Sequence, residues 1–157
     1  MPGLTSWWRR VRGRPAADRA AAAPIEVLAI TGDAAQREAL ARIAEEFGWR
    51  LRLTASSREA EAALPARGGA VVIFDRDLPG EDWRLVLPRL ARLPQAGCVL
   101  LASPVADDYL WQEVIRHHGH DVLPKPFQAA VVARIVSAWT WRGAAAADAA
   151  ADRSRRS

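Results

Sequence analysis

Along the chain, short apolar runs alternate with longer segments whose apolar positions recur every three or four residues. The runs "IEVLAI" (25–30), "AVVIF" (70–74), "CVLLA" (98–102) and "DVLP" (121–124) read as strands. The middle two are apolar throughout, as strands covered on both faces must be. "WRLRLTA" (49–55) alternates instead. Leu51 and Leu53 fall on one face and Arg50 and Arg52 on the other, which predicts an edge strand wetted on one side.

Between the runs lie five predicted helices. In 33–48, Leu40, Ile43, Ala44 and Phe47 share a helical face. Asp33 and Gln36 form a capping-box start, and Gly48 is the stop. Ser56 with Glu59 opens a second, short helix. The third spans 81–93, where Pro88 predicts a kink or an early end. The fourth is read over 104–119 and the fifth over 127–141, with the alanine-rich remainder able to extend it. Strands alternating with helices through short links predict an α/β protein with a doubly wound five-stranded parallel sheet and helices on both faces. Residues 25–141 form that domain, 1–24 read as a basic disordered tail, and 142–157 as an Ala/Arg-rich tail or helix extension.

Composition sharpens this picture in three places. The chain is 157 residues long and half apolar, enough for one well-buried core. Residues 1–24 carry five arginines against one aspartate, and 142–157 four against two. The positive excess therefore sits in the tails, around a mildly acidic domain, and nucleic acid is not an expected partner. The one cysteine, Cys98, lies in an apolar run and reads as a small buried hydrophobe. No run of about 20 apolar residues and no apolar signal core is present, so a cytoplasmic home is expected and membrane contact is not, beyond a weak one through Trp7 and Trp8 of the tail.

Ligands of such sheets bind outside the carboxyl ends of the strands. The residues just past each strand are Thr31, Gly32 and Asp33; then Asp75, Arg76 and Asp77; then Ser103; then Lys125. A carboxylate, a hydroxyl and an ammonium on one rim suit aspartyl-phosphate chemistry, with Asp75 attacking phosphorus and Ser103 and Lys125 holding phosphoryl oxygens. Lys125 is the only lysine among 22 basic residues. A compact ammonium on a flexible stem reaches a phosphoryl group where a planar guanidinium is a poor substitute, which gives this position a reason to keep it.

Three stretches together resemble the response-regulator receiver domain of two-component signalling. They are "VVIFDRDLPG", with Asp75 followed by Pro79 and Gly80; "LLAS", ending at Ser103; and "DVLPKPF", with Lys125, Pro126 and Phe127. The resemblance covers residues 25–141. It implies a flavodoxin-like sheet of strand order 2-1-3-4-5, Asp75 as phosphoacceptor, Ser103 and Lys125 as phosphoryl ligands, and a cis bond before Pro126. It also implies a histidine kinase or other signalling protein as partner. The surface of helix four, strand five and helix five, with Trp111, Val122 and Trp139, is its interface and a possible homodimer contact. Only about 16 residues follow the last helix, so no output domain is expected there.

The sequence departs from the family twice. The acidic pair that helps hold Mg²⁺ falls at Thr31 and Gly32, neither a carboxylate, and Asp33 comes one residue late, where it would cap a helix. With Asp75 and at most Asp33 as carboxylate ligands, Mg²⁺ is expected to bind weakly. The switch aromatic of strand five is replaced by Val122. An atypical receiver with slow or phosphorylation-independent signalling is therefore the expectation. The alternative is a small haloacid-dehalogenase-like, Mg-dependent phosphatase using Asp75 and Asp77 of "FDRD", but Leu78-Pro79 stands where that family has Thr or Val. His117, His118 and His120 do not share a helix face, and they read as a helix C-terminus ended by Gly119 rather than as a metal site.

Overall fold

The computed structural model describes residues 23–156. Its strands are β1 (Glu26–Ile30), β2 (Arg50–Thr54), β3 (Ala70–Asp75), β4 (Ala96–Ser103) and β5 (Asp121–Pro124). Its helices are α1 (Ala34–Phe47), α2 (Ser57–Ala63), α3 (Trp83–Ala91), α4 (Asp108–Arg116) and α5 (Ala129–Arg155). All strand pairs are parallel, in the order β2-β1-β3-β4-β5, so the predicted sheet is the one observed.

Period-two alternation explains why this sheet is covered twice. Leu28, Ile30, Val72, Phe74, Val99 and Leu101 pack on one side with Ala60 of α2, Leu87 and Leu90 of α3, and Val114 of α4. Their neighbours Val27, Ala29, Val71, Ile73 and Leu100 pack on the other with Leu40 and Ile43 of α1 and Val132 and Val136 of α5. β2 is the edge strand, with Arg50 and Arg52 exposed and Leu51 and Leu53 packed against the α1/α5 layer. Cys98 is buried there, and burial pushes its thiol up to about 12.

Helix ends follow local chemistry, with two differences from expectation. α1 starts on Asp33, whose Oδ1 accepts the Gln36 N–H at 2.9 Å, and stops at Gly48 in the left-handed region, φ 71°. α4 does not begin at Ser103-Pro104. Its cap is Asp107, whose Oδ1 accepts the Leu110 N–H at 2.8 Å, while Ser103 Oγ accepts the Val105 N–H at 3.1 Å in a local turn.

At the other end of α4 the left-handed residue is His118, φ 68°, and not Gly119. The His118 N–H bonds Ile115 O at 3.1 Å and the Gly119 N–H bonds Val114 O at 2.8 Å, the paired bonds of a Schellman ending. Gly119 is needed for space: a Cβ there would lie 2.5 Å from Val114 Cγ1. α3, with Pro88 inside it, ends early at Ala91. α5 runs unbroken through the alanine-rich segment to Arg155. No helix among the described residues is long and apolar enough to cross a membrane.

Candidate functional site

Parallel strands deliver their carboxyl ends to one rim. Asp75 is the last residue of β3, beside Ala102 of β4, and Ser103, the last residue of β4, pairs with Pro124 of β5. Lys125 follows at once, and the Lys125–Pro126 peptide bond is cis, as the resemblance implies. β1 sits on the other side of β3 and releases Thr31 onto the same rim. After Asp75 the chain turns sharply. Glu81 N donates to Leu78 O at 3.4 Å across Pro79 and Gly80, with Gly80 at φ 79°, a type II arrangement that glycine permits at its third position. Glu81 is anchored in turn by the Ser57 N–H at 3.0 Å.

The acid and the amine meet. Lys125 Nζ lies 2.7 Å from Asp75 Oδ1 and 3.1 Å from Asp77 Oδ2. The Asp77 N–H also bonds Asp75 Oδ1, at 3.0 Å, and the Thr31 hydroxyl donates to Asp75 Oδ2 at 2.9 Å. Gln36, one turn into α1, adds two more contacts. Assigned so that its nitrogen meets an acceptor and its oxygen a donor, the Gln36 amide directs nitrogen to Asp75 Oδ2 and oxygen to Lys125 Nζ, each at 3.3 Å. Thr31 is held in place by the Asp33 N–H on its hydroxyl at 3.1 Å and by Arg37 Nε on its carbonyl at 2.9 Å.

The buried Asp75 is electrostatically settled by this shell. Burial alone pushes its carboxyl up, but the hydrogen bonds from Lys125, the Asp77 N–H and Thr31 outweigh burial and hold it below the usual carboxylate range. For Lys125 burial pulls down, and the hydrogen bonds and charges of Asp75 and Asp77 win, lifting the ammonium above its ordinary value.

Of the residues picked from the sequence, Asp75, Lys125 and Thr31 are in direct contact. Ser103 is fully buried on the same rim, but its hydroxyl accepts from Arg76 Nη1 at 3.3 Å and makes no bond to Asp75. Gly32 and Asp33 open α1, and the Asp33 carboxylate is spent on the helix cap. Gln36, expected only as a cap partner, and Arg76, expected only as a strand-end neighbour of Asp75, also reach the site. The pattern Asp33…Gln36 marks a capping box, yet only half of it forms, because the Gln36 side chain turns to Asp75 instead of back to the cap.

Among the interface candidates, Trp111 is 47% exposed and Val122 is buried. Trp139 is half-buried, donating from Nε1 to Asp121 Oδ2 at 3.3 Å and meeting His120 edge-on. A groove of about 440 Å³ runs between α4, β5 and α5, lined by Trp111, Val122, Pro124, Arg134 and Ile135. Trp7 and Trp8 lie outside the described residues.

Mg²⁺ requires near-octahedral oxygen ligands. Here both Asp75 oxygens already accept protein donors, the Asp33 carboxylate caps α1, and an amide nitrogen points at the remaining side of Asp75. Among the described residues no group of three or more His, Cys, Asp or Glu is placed to hold a metal. This arrangement does not fit the ion.

No protein-family model matches this sequence, and no curated protein does. Solved structures do. The chemotaxis response regulator CheY4 of Vibrio cholerae superposes with a TM-score of 0.65 at 21% identity, covering 74% of this chain and 99% of that one. The chain has the receiver-domain fold. The signal receiver domain of a histidine kinase from Syntrophus aciditrophicus gives a TM-score of 0.61 at 24% identity over 73% of this chain and 89% of its own. A Saccharomyces cerevisiae receiver domain, crystallised with its histidine phosphotransfer protein, gives 0.63 at 15% over 74% and 89%. The rim that carries Asp75, Ser103 and Lys125 is thus the strand-end rim of a receiver fold.

Proposed function

We propose that this protein is a receiver-type signalling domain that works through protein–protein contacts, with Asp75 as its candidate phosphoacceptor and with phosphotransfer slow or dispensable. The observation that carries the reading is the Lys125–Asp75 contact at 2.7 Å on the strand-end rim of a receiver fold, with Thr31 standing where a metal-binding carboxylate would be expected. Asp75 would be the nucleophile and Lys125 the cation beside the incoming phosphoryl group. Thr31 and Gln36 supply neutral donors and bring no negative charge that could recruit Mg²⁺. A neutral donor can hold a resting carboxylate but cannot neutralise charge that builds on a transferring phosphoryl group.

The fold supports a signalling protein as the partner. A receiver-fold relative was solved with a histidine phosphotransfer protein, and a sensor kinase or phosphotransfer protein is the partner proposed here. The groove between α4, β5 and α5, with exposed Trp111 at its wall, is the proposed contact surface. The phosphatase alternative is less favoured because the solved structures of this fold that match the chain are receiver domains.

The test is incubation with phosphoramidate and Mg²⁺, followed by intact-mass measurement. Slow, sub-stoichiometric labelling is expected. Fast stoichiometric labelling that Asp75→Asn abolishes would overturn the reading.

A further inference from the structure

An ionised carboxylate offers about four acceptor positions, and an ammonium offers three donors. At this site every one of them is taken by the protein itself. Asp75 Oδ1 accepts from Lys125 Nζ at 2.7 Å and from the Asp77 N–H at 3.0 Å. Asp75 Oδ2 accepts from the Thr31 hydroxyl at 2.9 Å and from the Gln36 amide at 3.3 Å. The three Lys125 protons go to Asp75, to Asp77 Oδ2 at 3.1 Å and to the Gln36 amide oxygen at 3.3 Å. Ser103, the third group expected to face a phosphoryl oxygen, accepts from Arg76 and from the Val105 N–H, and neither bond uses its own O–H.

Among the described residues, Gln36 is the only side chain that bonds both halves of the pair, closing a ring Asp75–Gln36–Lys125. We infer that Gln36, seconded by Thr31, is a latch that keeps the Asp75 carboxylate and the Lys125 ammonium occupied with each other and unavailable to a phosphoryl group. This rests on the receiver-type reading and adds a residue-level cause for its slow chemistry.

The latch has a direction that a merely structural role lacks. To attack phosphorus, an Asp75 oxygen must present a free lone pair, and to hold the product Lys125 must turn a proton outward. Opening the two Gln36 contacts supplies both at once. At 3.3 Å they are the longest in the ring and the first to yield. Loss of the amide should therefore raise reactivity, whereas loss of a supporting residue would lower it. Gln36 lies in the first turn of α1 and is half-buried, so an unbranched apolar replacement of equal length fits the same space.

The experiment compares the full-length protein with Gln36→Met and with Thr31→Val under phosphoramidate. The Asp75 oxygen forms a bond to phosphorus as the P–N bond of the protonated donor breaks and ammonia leaves. Gln36→Met is expected to label several-fold to about tenfold faster than the parent, the ratio one hydrogen bond can hold. Thr31→Val should label faster too, and adding Asp75→Asn should remove the label in each. Thermal melts confirm that each variant is folded, with Gln36→Ala as a second variant should Met disturb packing. Folded Gln36 variants that label no faster than the parent would overturn the latch while leaving the signalling reading in place. A parent protein that itself labels fast and to completion would overturn both.

Discussion

Replacing Lys125 by methionine removes an ammonium and keeps most of its apolar stem. The ammonium lies 2.7 Å from Asp75 Oδ1, and the two side chains are only 10% and 6% exposed. Two unit charges at that distance in an effective dielectric near 20 attract by roughly 6 kcal/mol, most of which offsets the cost of taking both out of water. Removing one partner of a buried pair typically costs about 3–5 kcal/mol, because the other charge is left behind. Asp75 keeps the Thr31 and Asp77 donors, which places the expected loss near the bottom of that range, about 3 kcal/mol.

That loss corresponds to roughly 6–12 °C in Tm for a chain of this size. The pH dependence is a second signature. The folded Asp75 carboxyl lies below its ordinary value, so its contribution is complete above about pH 4 and is lost as pH falls through the folded value. Without Lys125, burial is less opposed and the carboxyl moves up. The gap between parent and variant should therefore be full at pH 7 and shrink below pH 4. Guanidinium denaturation followed by far-ultraviolet circular dichroism at pH 7 and at pH 3.5 measures both. A Lys125→Met loss under about 0.5 kcal/mol at pH 7, or a gap that stays constant on acidification, would refute this electrostatic argument.

Three further substitutions probe the scaffold around the site. Gly119→Ala should destabilise by about 1–3 kcal/mol in denaturant titration, since the added Cβ would meet Val114 Cγ1 at 2.5 Å and Val114 O at 3.2 Å. His118→Gly should stabilise by roughly 0.5–1 kcal/mol, because it frees an exposed left-handed position from its Cβ penalty. The His120 ring should titrate below 6.5 by proton NMR, because burial disfavours the charged form and outweighs the opposing contact with the Val99 backbone. Its folded value is lowered, so its contribution is complete above 6.5 and is lost as pH falls toward the folded value. His120→Gln should flatten that slope in a Tm-against-pH series.

The architecture was legible because it rests on periodicity. Val71 to Phe74 and Val99 to Leu101 are apolar on both faces, and only a central parallel strand asks for that. The Asp75–Lys125 meeting was legible too, since parallel strands bring their carboxyl ends to one rim however far apart they lie in the chain. Helix ends were less legible where two polar residues competed. Ser103 and Asp107 are both residues that can cap a helix, and the sequence does not record that Ser103 Oγ accepts from Arg76 and Val105.

Gln36 was hidden for a related reason. At the third position of a helix its side chain can turn back to the cap or across to a neighbouring strand end. The choice depends on the tertiary proximity of Asp75 and Lys125, not on local pattern. Arg76, one among many arginines, carried no distinguishing local signal, and its bond to Ser103 appears only once β3 and β4 are paired.

Manganese binding followed by water-proton relaxation tests most directly the claim that this rim holds its acid and amine without a metal. The account predicts the same shallow, non-saturating titration for the parent and for Asp75→Asn. A saturable site in the parent that Asp75→Asn abolishes would contradict it.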